Sequence, residues 1–246
     1  MVKFRWHIAV GLLLLVASAA LYAFQIYSFH KPEDTFFYIL QDFAFLPITI
    51  LLVTVVVSEM LGRRERAILQ KKMNMVIGAF FSEVGGRLLQ RISEFDPNTQ
   101  EILPYVIVNP QWSDKDFLKS GRALREREYQ LDTQLSSVDD LKRFLVERRS
   151  FMLRLLENPN LLEHETFTEL LWAVFHLTEE LEFREGFDHL PQSDLNHIAG
   201  DMKRAYIQML AEWLLYVKHL KGEYPYLFSL VVRVNPFDRE SSVIVR

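Results

Sequence analysis

Two histidine–carboxylate pairs are the residues of this sequence whose types and spacing suit chemistry. His176 precedes Glu179 by three residues, and His197 precedes Asp201 by four. Residues three or four apart lie on one face of a helix, so each pair offers an imidazole and a carboxylate to the same side. If the two helices are neighbours, the four side chains form a donor set that suits a divalent transition metal.

The alternative is that these are ordinary surface or half-buried histidines with helical partners. Metal sites in carboxylate-rich bundles use Glu-x-x-His twice, together with two further carboxylates. Here the order is reversed and the spacing is not repeated. The sequence therefore favours the ordinary interpretation and predicts no cofactor. A metal-dependent membrane enzyme with a site at His176, Glu179, His197 and Asp201 is the weaker alternative.

Signatures of other chemistry are missing from the sequence. It contains no cysteine, which excludes disulfides, thiolate nucleophiles and Cys-ligated metal clusters. It also contains no Gly-rich phosphate loop, no Walker motif and no G-x-S-x-G. The formal net charge is −4, so there is no basic excess of the kind that binds nucleic acid. We therefore predict that the protein is not an enzyme and has no nucleic-acid partner.

An aromatic cluster near the C-terminus is a second candidate site. Its members are Trp213, Tyr216, Tyr224, Tyr226, Phe228 and Phe237. Buried aromatic side chains more often close a helical core than bind a ligand. Core packing is the favoured interpretation, and a ligand pocket is the alternative.

Two apolar segments occupy the N-terminal quarter of the chain. Residues 6–29 and 35–61 are each long enough to cross the ~30 Å hydrocarbon core of a bilayer as a helix. A short polar turn, residues 30–34, separates them. Basic residues precede the first segment at Lys3 and Arg5, and a basic collar follows the second. The collar consists of Arg63, Arg64, Arg66, Lys71 and Lys72.

This distribution of basic residues predicts the orientation. By the positive-inside rule, both termini are cytoplasmic and the turn faces outward. The collar is expected to face a lipid bilayer with anionic headgroups. Residues 1–19 also fit a signal peptide, with a cleavage-like Ala17-Ser18-Ala19. The apolar run continues through Tyr27, which is longer than a usual signal-peptide core and favours an uncleaved anchor.

Two residues inside the second segment carry a separate hypothesis. Asp42 is ionisable, and such residues within a span are functional candidates. Alternatively Asp42 lies at the interface, because residues 43–61 alone are long enough to span. Pro47 is expected to kink the helix or start it afresh. An oligomeric channel or transporter subunit, with both residues in its pore-side helix, is therefore an alternative function.

Residues 63–95 continue with a helical period and an apolar stripe. The stripe comprises Leu69, Met73, Val76, Phe80, Val84 and Leu88. It requires a partner, which is a later helix of the chain, a second copy or the membrane surface. Self-association through this stripe gives the leading hypothesis, a membrane-anchored scaffold or interaction module that forms a homo-oligomer or holds a protein partner.

The rest of the chain has the pattern of a helical bundle. Ser113 and Ser137 are predicted to begin helices, and residues 99–112, with Pro104 and Pro110, are predicted to form a connector. The predicted fold class is all-α, a two-helix transmembrane hairpin followed by a cytoplasmic helical bundle. Its parts are the hairpin at 1–62, a juxtamembrane helix at 63–95 and the bundle at 96–246.

Two longer stretches carry a family resemblance. They are NMVIGAFFSEVG at residues 74–85 and EWLLYVKHLKGEYPYLFSLVVRVNPF at residues 212–237. With the two apolar segments, they make nearly the whole chain resemble a family of uncharacterised prokaryotic two-span membrane proteins with a cytoplasmic helical domain. The resemblance implies a prokaryotic cytoplasmic (inner) membrane location. It implies no activity, substrate or catalytic residue.

Overall fold

The computed structural model describes residues 2–238 and 240–244, and all regular structure in that range is helical. The α-helices are α1 (Val2–Phe29), α2 (Pro32–Phe80), α3 (Gly86–Ser93), α4 (Thr99–Val106), α5 (Asp114–Glu126), α6 (Val138–Leu156), α7 (Glu165–Glu182), α8 (Gln192–Glu223) and α9 (Pro225–Arg233). A π-helix, Phe81–Gly85, joins α2 to α3, and a 3₁₀-helix, Pro159–Glu163, precedes α7. The predicted all-α class is confirmed.

The chain divides into two compact units, Met1–Arg66 and Ala67–Arg246. In the first unit, α1 ends at Phe29 and α2 begins at Pro32, so the link is shorter than the predicted turn. Proline suits the first helical position, where its missing N–H costs no hydrogen bond. The second segment therefore starts before Thr35, whose hydroxyl donates to the Lys31 carbonyl oxygen at 3.2 Å.

The first unit holds the polar residues predicted within the membrane segment. The Tyr22 hydroxyl of α1 donates to Asp42 Oδ2 of α2 at 3.1 Å. Asp42 thus has a hydrogen-bond partner within its own chain. Helix α2 continues through Pro47, so the predicted fresh helix start at this proline is not found.

Two helical stretches, Ala9–Phe29 and Pro32–Ser93, are long and apolar enough to cross a membrane. The most apolar part of each stretch contains no buried residue. The side chains from Phe43 to Leu61 accordingly remain exposed.

The second unit has a continuous apolar core, and the predicted self-association stripe lies inside it. Met73, Phe80, Val84 and Leu88 are at most 1% exposed, and Val76 is half-buried against the same core. The prediction that this stripe binds a second copy is wrong, because later helices of the same chain cover it. The Phe80 ring, for example, contacts the ring of Phe167 on α7 at a centroid distance of 5.5 Å.

Residues 99–112 differ from the predicted connector, because their first half is helix α4. Ile102 and Val106, four residues apart, are fully buried on one face of α4. The Asn235 amide donates to the Val106 carbonyl oxygen at 2.9 Å and so satisfies the end of the helix. Burial of this face outweighs the strand preference of its β-branched residues.

Helices α7 and α8 form the main packed pair, with α6 against α7 and α5 against α8. Predicted helix starts at Ser113 and Ser137 are confirmed. The Asp116 carboxylate accepts the Ser113 N–H at 2.7 Å, and Ser137 Oγ accepts the Asp140 N–H at 3.2 Å. This packing fixes α7 beside α8, which carry the histidine–carboxylate pairs.

Candidate metal centre

Each of the two central helices contributes one imidazole and one carboxylate to the same place. His176 and Glu180 lie four residues apart on α7, and His197 and Asp201 lie four residues apart on α8. A spacing of four returns a side chain to nearly the same direction on a helix. The facing sides of α7 and α8 therefore form a cluster of two histidines and two acids.

The two imidazoles converge on a single carboxylate oxygen. Asp201 Oδ2 lies 3.4 Å from His176 Nε2 and 3.3 Å from His197 Nε2. The ligand atoms of these three residues all lie within 4.8 Å of one another. Two ligands bound to zinc at about 2.0–2.1 Å and a tetrahedral angle are roughly 3.3–3.4 Å apart. Both distances to Asp201 match that separation.

The carboxylate at the centre of the cluster is buried and incompletely satisfied. Asp201 is 2% exposed, and its Oδ2 has no hydrogen-bond partner among the described residues. Its other oxygen, Oδ1, lies 3.3 Å from Nη1 of Arg204. A buried acceptor without a donor costs about 1–3 kcal/mol, and more when it is charged. A cation held between Oδ2 and the imidazoles removes that cost.

The acid from α7 differs from the predicted one. Glu180 Oε2 lies 3.6 Å from His197 Nε2, whereas Glu179 Oε1 lies 3.6 Å from Arg149 Nη2. On a helix, a residue four positions on is about 40° from His176, and one three positions on is about 60° away in the other direction. The predicted Glu179 thus lies outside the cluster, paired with Arg149, and Glu180 is the α7 carboxylate beside His197.

Glu180 also belongs to an ion-pair network that closes α7 onto α8. Arg184 Nη1 lies 2.8 Å from Glu180 Oε2, and its Nε and Nη2 donate to Asp194 at 2.9 and 2.7 Å. These hydrogen bonds from Arg184 hold the pKa values of Glu180 and Asp194 below their usual range. Arg184 therefore pairs with both acids. The pair with Glu180 could be predicted from the sequence, because the two residues are four positions apart. The pair with Asp194 depends on how α7 packs on α8.

The donor set defines what the cluster can bind. Two imidazole nitrogens and one carboxylate oxygen suit zinc, iron, nickel or copper better than magnesium or calcium. Three protein ligands also leave at least one coordination position open. The side chains of His176 and His197 are 44% and 52% exposed, so solutes can reach this position.

The basic collar makes contacts of its own. Glu59 pairs with Arg63 four residues on, with Arg63 Nε 2.8 Å from Glu59 Oε1. Arg66 Nη2 lies 3.9 Å from the same oxygen. The remaining members, Arg64, Lys71 and Lys72, are exposed.

Comparison with known proteins identifies the family. Residues 69–233 match the C-terminal helical domain of the uncharacterized protein MJ1433, and residues 2–61 match the N-terminal helical domain of MJ1433. The chain is 40% identical over 240 residues to the uncharacterized protein MJ1433 of Methanocaldococcus jannaschii, covering 98% of this chain and 96% of that protein. No solved structure matches the chain. The predicted kinship to an uncharacterised family is confirmed, and the chain belongs to the MJ1433 family of proteins with N-terminal and C-terminal helical domains.

Proposed function

We propose that the protein is a membrane-anchored metal-binding protein whose helical C-terminal unit holds one divalent transition metal ion. His176, His197 and Asp201 are the ligands, and Zn²⁺ is the metal that the ligand separations fit best. The observation that carries this proposal is the buried Oδ2 of Asp201. It lies 3.3–3.4 Å from two imidazole nitrogens and receives no hydrogen bond from the described residues.

Glu180 has a supporting role in this proposal. Its carboxylate lies 3.6 Å from His197 Nε2 and is shared with Arg184. Because Arg184 already donates to it, Glu180 is a weaker ligand than Asp201. It is placed instead to accept a hydrogen bond from a water on the open coordination position, as outer-shell carboxylates do at other metal sites.

Metal binding is tested on the full chain, purified in detergent and stripped of metal. Isothermal titration with ZnCl₂ should give one site, and His197→Gln should remove it because an imidazole ligand is lost. His189→Gln is the matched control, since His189 is exposed in the turn between α7 and α8 and belongs to no cluster. Equal zinc binding by wild type and His197→Gln would contradict the proposal.

The membrane anchor is inferred from the exposure of the apolar helices. Soluble proteins rarely expose large continuous apolar patches. Here the most apolar stretches of α1 and α2 contain no buried residue, and their exposed side chains include Leu13, Leu51 and Val55. A bilayer removes such surfaces from water, and the basic residues that follow at 63–72 suit the cytoplasmic side.

The absence of native cysteine makes the orientation directly testable. Glu33→Cys places a thiol in the first turn of α2, and Lys119→Cys places one on the exposed face of α5. In intact cells, a membrane-impermeant maleimide should label Cys at 33 and should reach Cys at 119 only after lysis. Labelling at position 119 before lysis would contradict the orientation. Release of the protein by alkaline carbonate would contradict the membrane anchor.

Other parts of the sequence-based hypothesis stay predictions. They are the lack of enzymatic activity, the homo-oligomer or protein partner, and the channel or transporter alternative. Asp42 accepts a hydrogen bond from the Tyr22 hydroxyl. Its position within the apolar segment therefore does not by itself favour a channel. Ion flux through proteoliposomes that is lost in Asp42→Asn would favour the channel.

A further inference from the structure

The C-terminal unit contains a cavity of about 390 Å³ that shares no residue with the metal cluster. It lies where the π-helix and α3 meet the second half of α8 and helix α9. Its volume falls within the range of small-molecule sites. Two members of the aromatic cluster, Trp213 and Tyr216, line this cavity. They are the part of the cluster for which a ligand pocket was the alternative to core packing.

One wall of the cavity is aromatic. The Phe81 ring stacks on Tyr216 with a centroid distance of 5.3 Å and an interplanar angle of 14°. Trp213 meets Phe81 edge-on at 5.4 Å. Trp213 is 3% exposed, and its indole N–H has no acceptor among the described residues. Leu230 and Val234 form an apolar edge that is 38% and 40% exposed.

The same wall contains the π-helix. A π-helix is rare and frequently marks a functional site, because it inserts a residue into the helix and redirects the side chains next to it. Phe81 is the first residue of this turn and Gly85 the last. A Cβ on Gly85 would lie 2.6 Å from ring atoms of both Phe80 and Phe81, so only glycine fits beside these rings.

The charge in the cavity is positive and unpaired. Arg87, exposed on α3, is the charged residue among the described residues that line the cavity. It makes no ion pair, hydrogen bond or ring contact within the described part of the chain. By contrast, Arg91, one turn further along α3, lies over the Phe144 ring at 5.0 Å. A guanidinium beside an apolar cavity is suited to a carboxylate.

We propose that this cavity binds a small, water-soluble amphipathic anion, a carboxylate with an acyl body of medium length. The apolar body lies between the aromatic wall and the edge formed by Leu230 and Val234. The carboxylate pairs with Arg87. This site goes beyond metal binding and does not depend on it.

The test uses the full chain in lipid nanodiscs and titrates octanoate by calorimetry, with octanamide as the uncharged probe. Octanoate should bind the wild type, and octanamide should bind at least about tenfold more weakly because it cannot pair with Arg87. Arg87→Gln should weaken octanoate by a similar factor and leave octanamide unchanged. Arg91→Gln, on the same helix but outside the cavity, should bind octanoate as the wild type does.

A second variant separates the cavity from non-specific uptake into the lipid. Val231→Phe adds volume inside the cavity, so it should abolish binding of both probes, while thermal unfolding shows that the variant remains folded. Equal affinity for octanoate and octanamide would overturn the proposal, as would unchanged octanoate binding in Arg87→Gln or in Val231→Phe.

Discussion

Two buried aspartates of the C-terminal unit share the same defect and have different neighbours. Asp96 is 5% exposed and Asp201 is 2% exposed, and in both residues Oδ2 lacks a hydrogen-bond partner among the described residues. Around Asp96 lie Tyr129, Tyr206 and Arg127, whose charges and that of Asp96 affect one another's pKa values. Around Asp201 lie two imidazoles at Oδ2 and the guanidinium of Arg204 at Oδ1.

A buried carboxylate becomes a candidate metal ligand through the groups that face it. Hydroxyl and guanidinium groups approach a carboxylate with donors or positive charge, and they supply no nitrogen lone pair for a metal. A neutral imidazole has one N–H donor and also one nitrogen lone pair, which can bind a metal. Burial alone therefore does not mark a metal site. The convergence of His176 and His197 on the oxygen of Asp201 is the observation that supports the proposed site.

The largest expected effect separates the two aspartates by metal affinity. Asp201→Asn should weaken zinc binding by more than about 100-fold, beyond what the loss of an outer-shell partner costs. Asp96→Asn should change it less than about twofold, because no imidazole faces Asp96. Competition titration with a chromogenic chelator measures both. Similar losses in the two variants would show that burial, and not the imidazoles, sets the affinity.

Zinc should also stabilise one variant and not the other. A metal that binds only the folded state at 100 times its Kd stabilises it by about 2.7 kcal/mol. Chemical unfolding of the wild type and of Asp96→Asn should show this gain. Asp201→Asn should show none, and a full gain in Asp201→Asn would place the zinc elsewhere.

The next effect concerns the competition for Glu180. Arg184→Gln leaves Glu180 and Asp194 without their cation, and it should destabilise the fold by roughly 1–3 kcal/mol because Arg184 is mostly buried. Zinc should then bind more tightly, since Glu180 is free and the local charge is more negative.

The matched control for Arg184→Gln is Arg143→Gln. Arg143 pairs with Asp140 on the surface, where it is 72% exposed. Its loss should change the free energy of unfolding by less than about 0.5 kcal/mol. Weaker zinc binding in Arg184→Gln would show that Arg184 supports the site instead of competing with it.

The smallest effect is a pH dependence at Asp96. Burial raises the pKa of Asp96, against opposing contributions from the Asn98 N–H and the charge of Arg127. A pKa raised on folding gives stability that is present below the ordinary aspartate value of about 4 and is lost as pH rises through the folded value. Asp96→Asn keeps an acceptor for the Asn98 N–H and should lose less stability than the wild type as the pH rises above about 4.

Urea unfolding at several pH values measures this difference. Asp132→Asn is the control, because Asp132 also accepts a backbone N–H two residues on, at 2.9 Å, but is exposed. It should leave the pH profile unchanged. An unchanged profile in Asp96→Asn as well would show that Asp96 is charged at no cost in the fold.

Local patterns in the sequence predicted more than long-range ones. The helical class and the His197–Asp201 pair follow from spacing within single helices, so they could be predicted. Glu180 in place of Glu179 could not, because both lie near the face of His176 and the packing of α7 on α8 selects one. The helices that cover the buried part of the stripe, residues 73–88, lie far along the chain. The local pattern therefore could not identify them.

We propose that His176, His197 and Asp201 together coordinate one metal ion. Zinc-edge X-ray absorption on the full chain, loaded with one equivalent of Zn²⁺, measures the ligands directly. We predict two imidazole nitrogens and at least one oxygen at about 2.0–2.2 Å, with low coordination number. A spectrum of oxygen ligands alone, without imidazole scattering, would contradict this account.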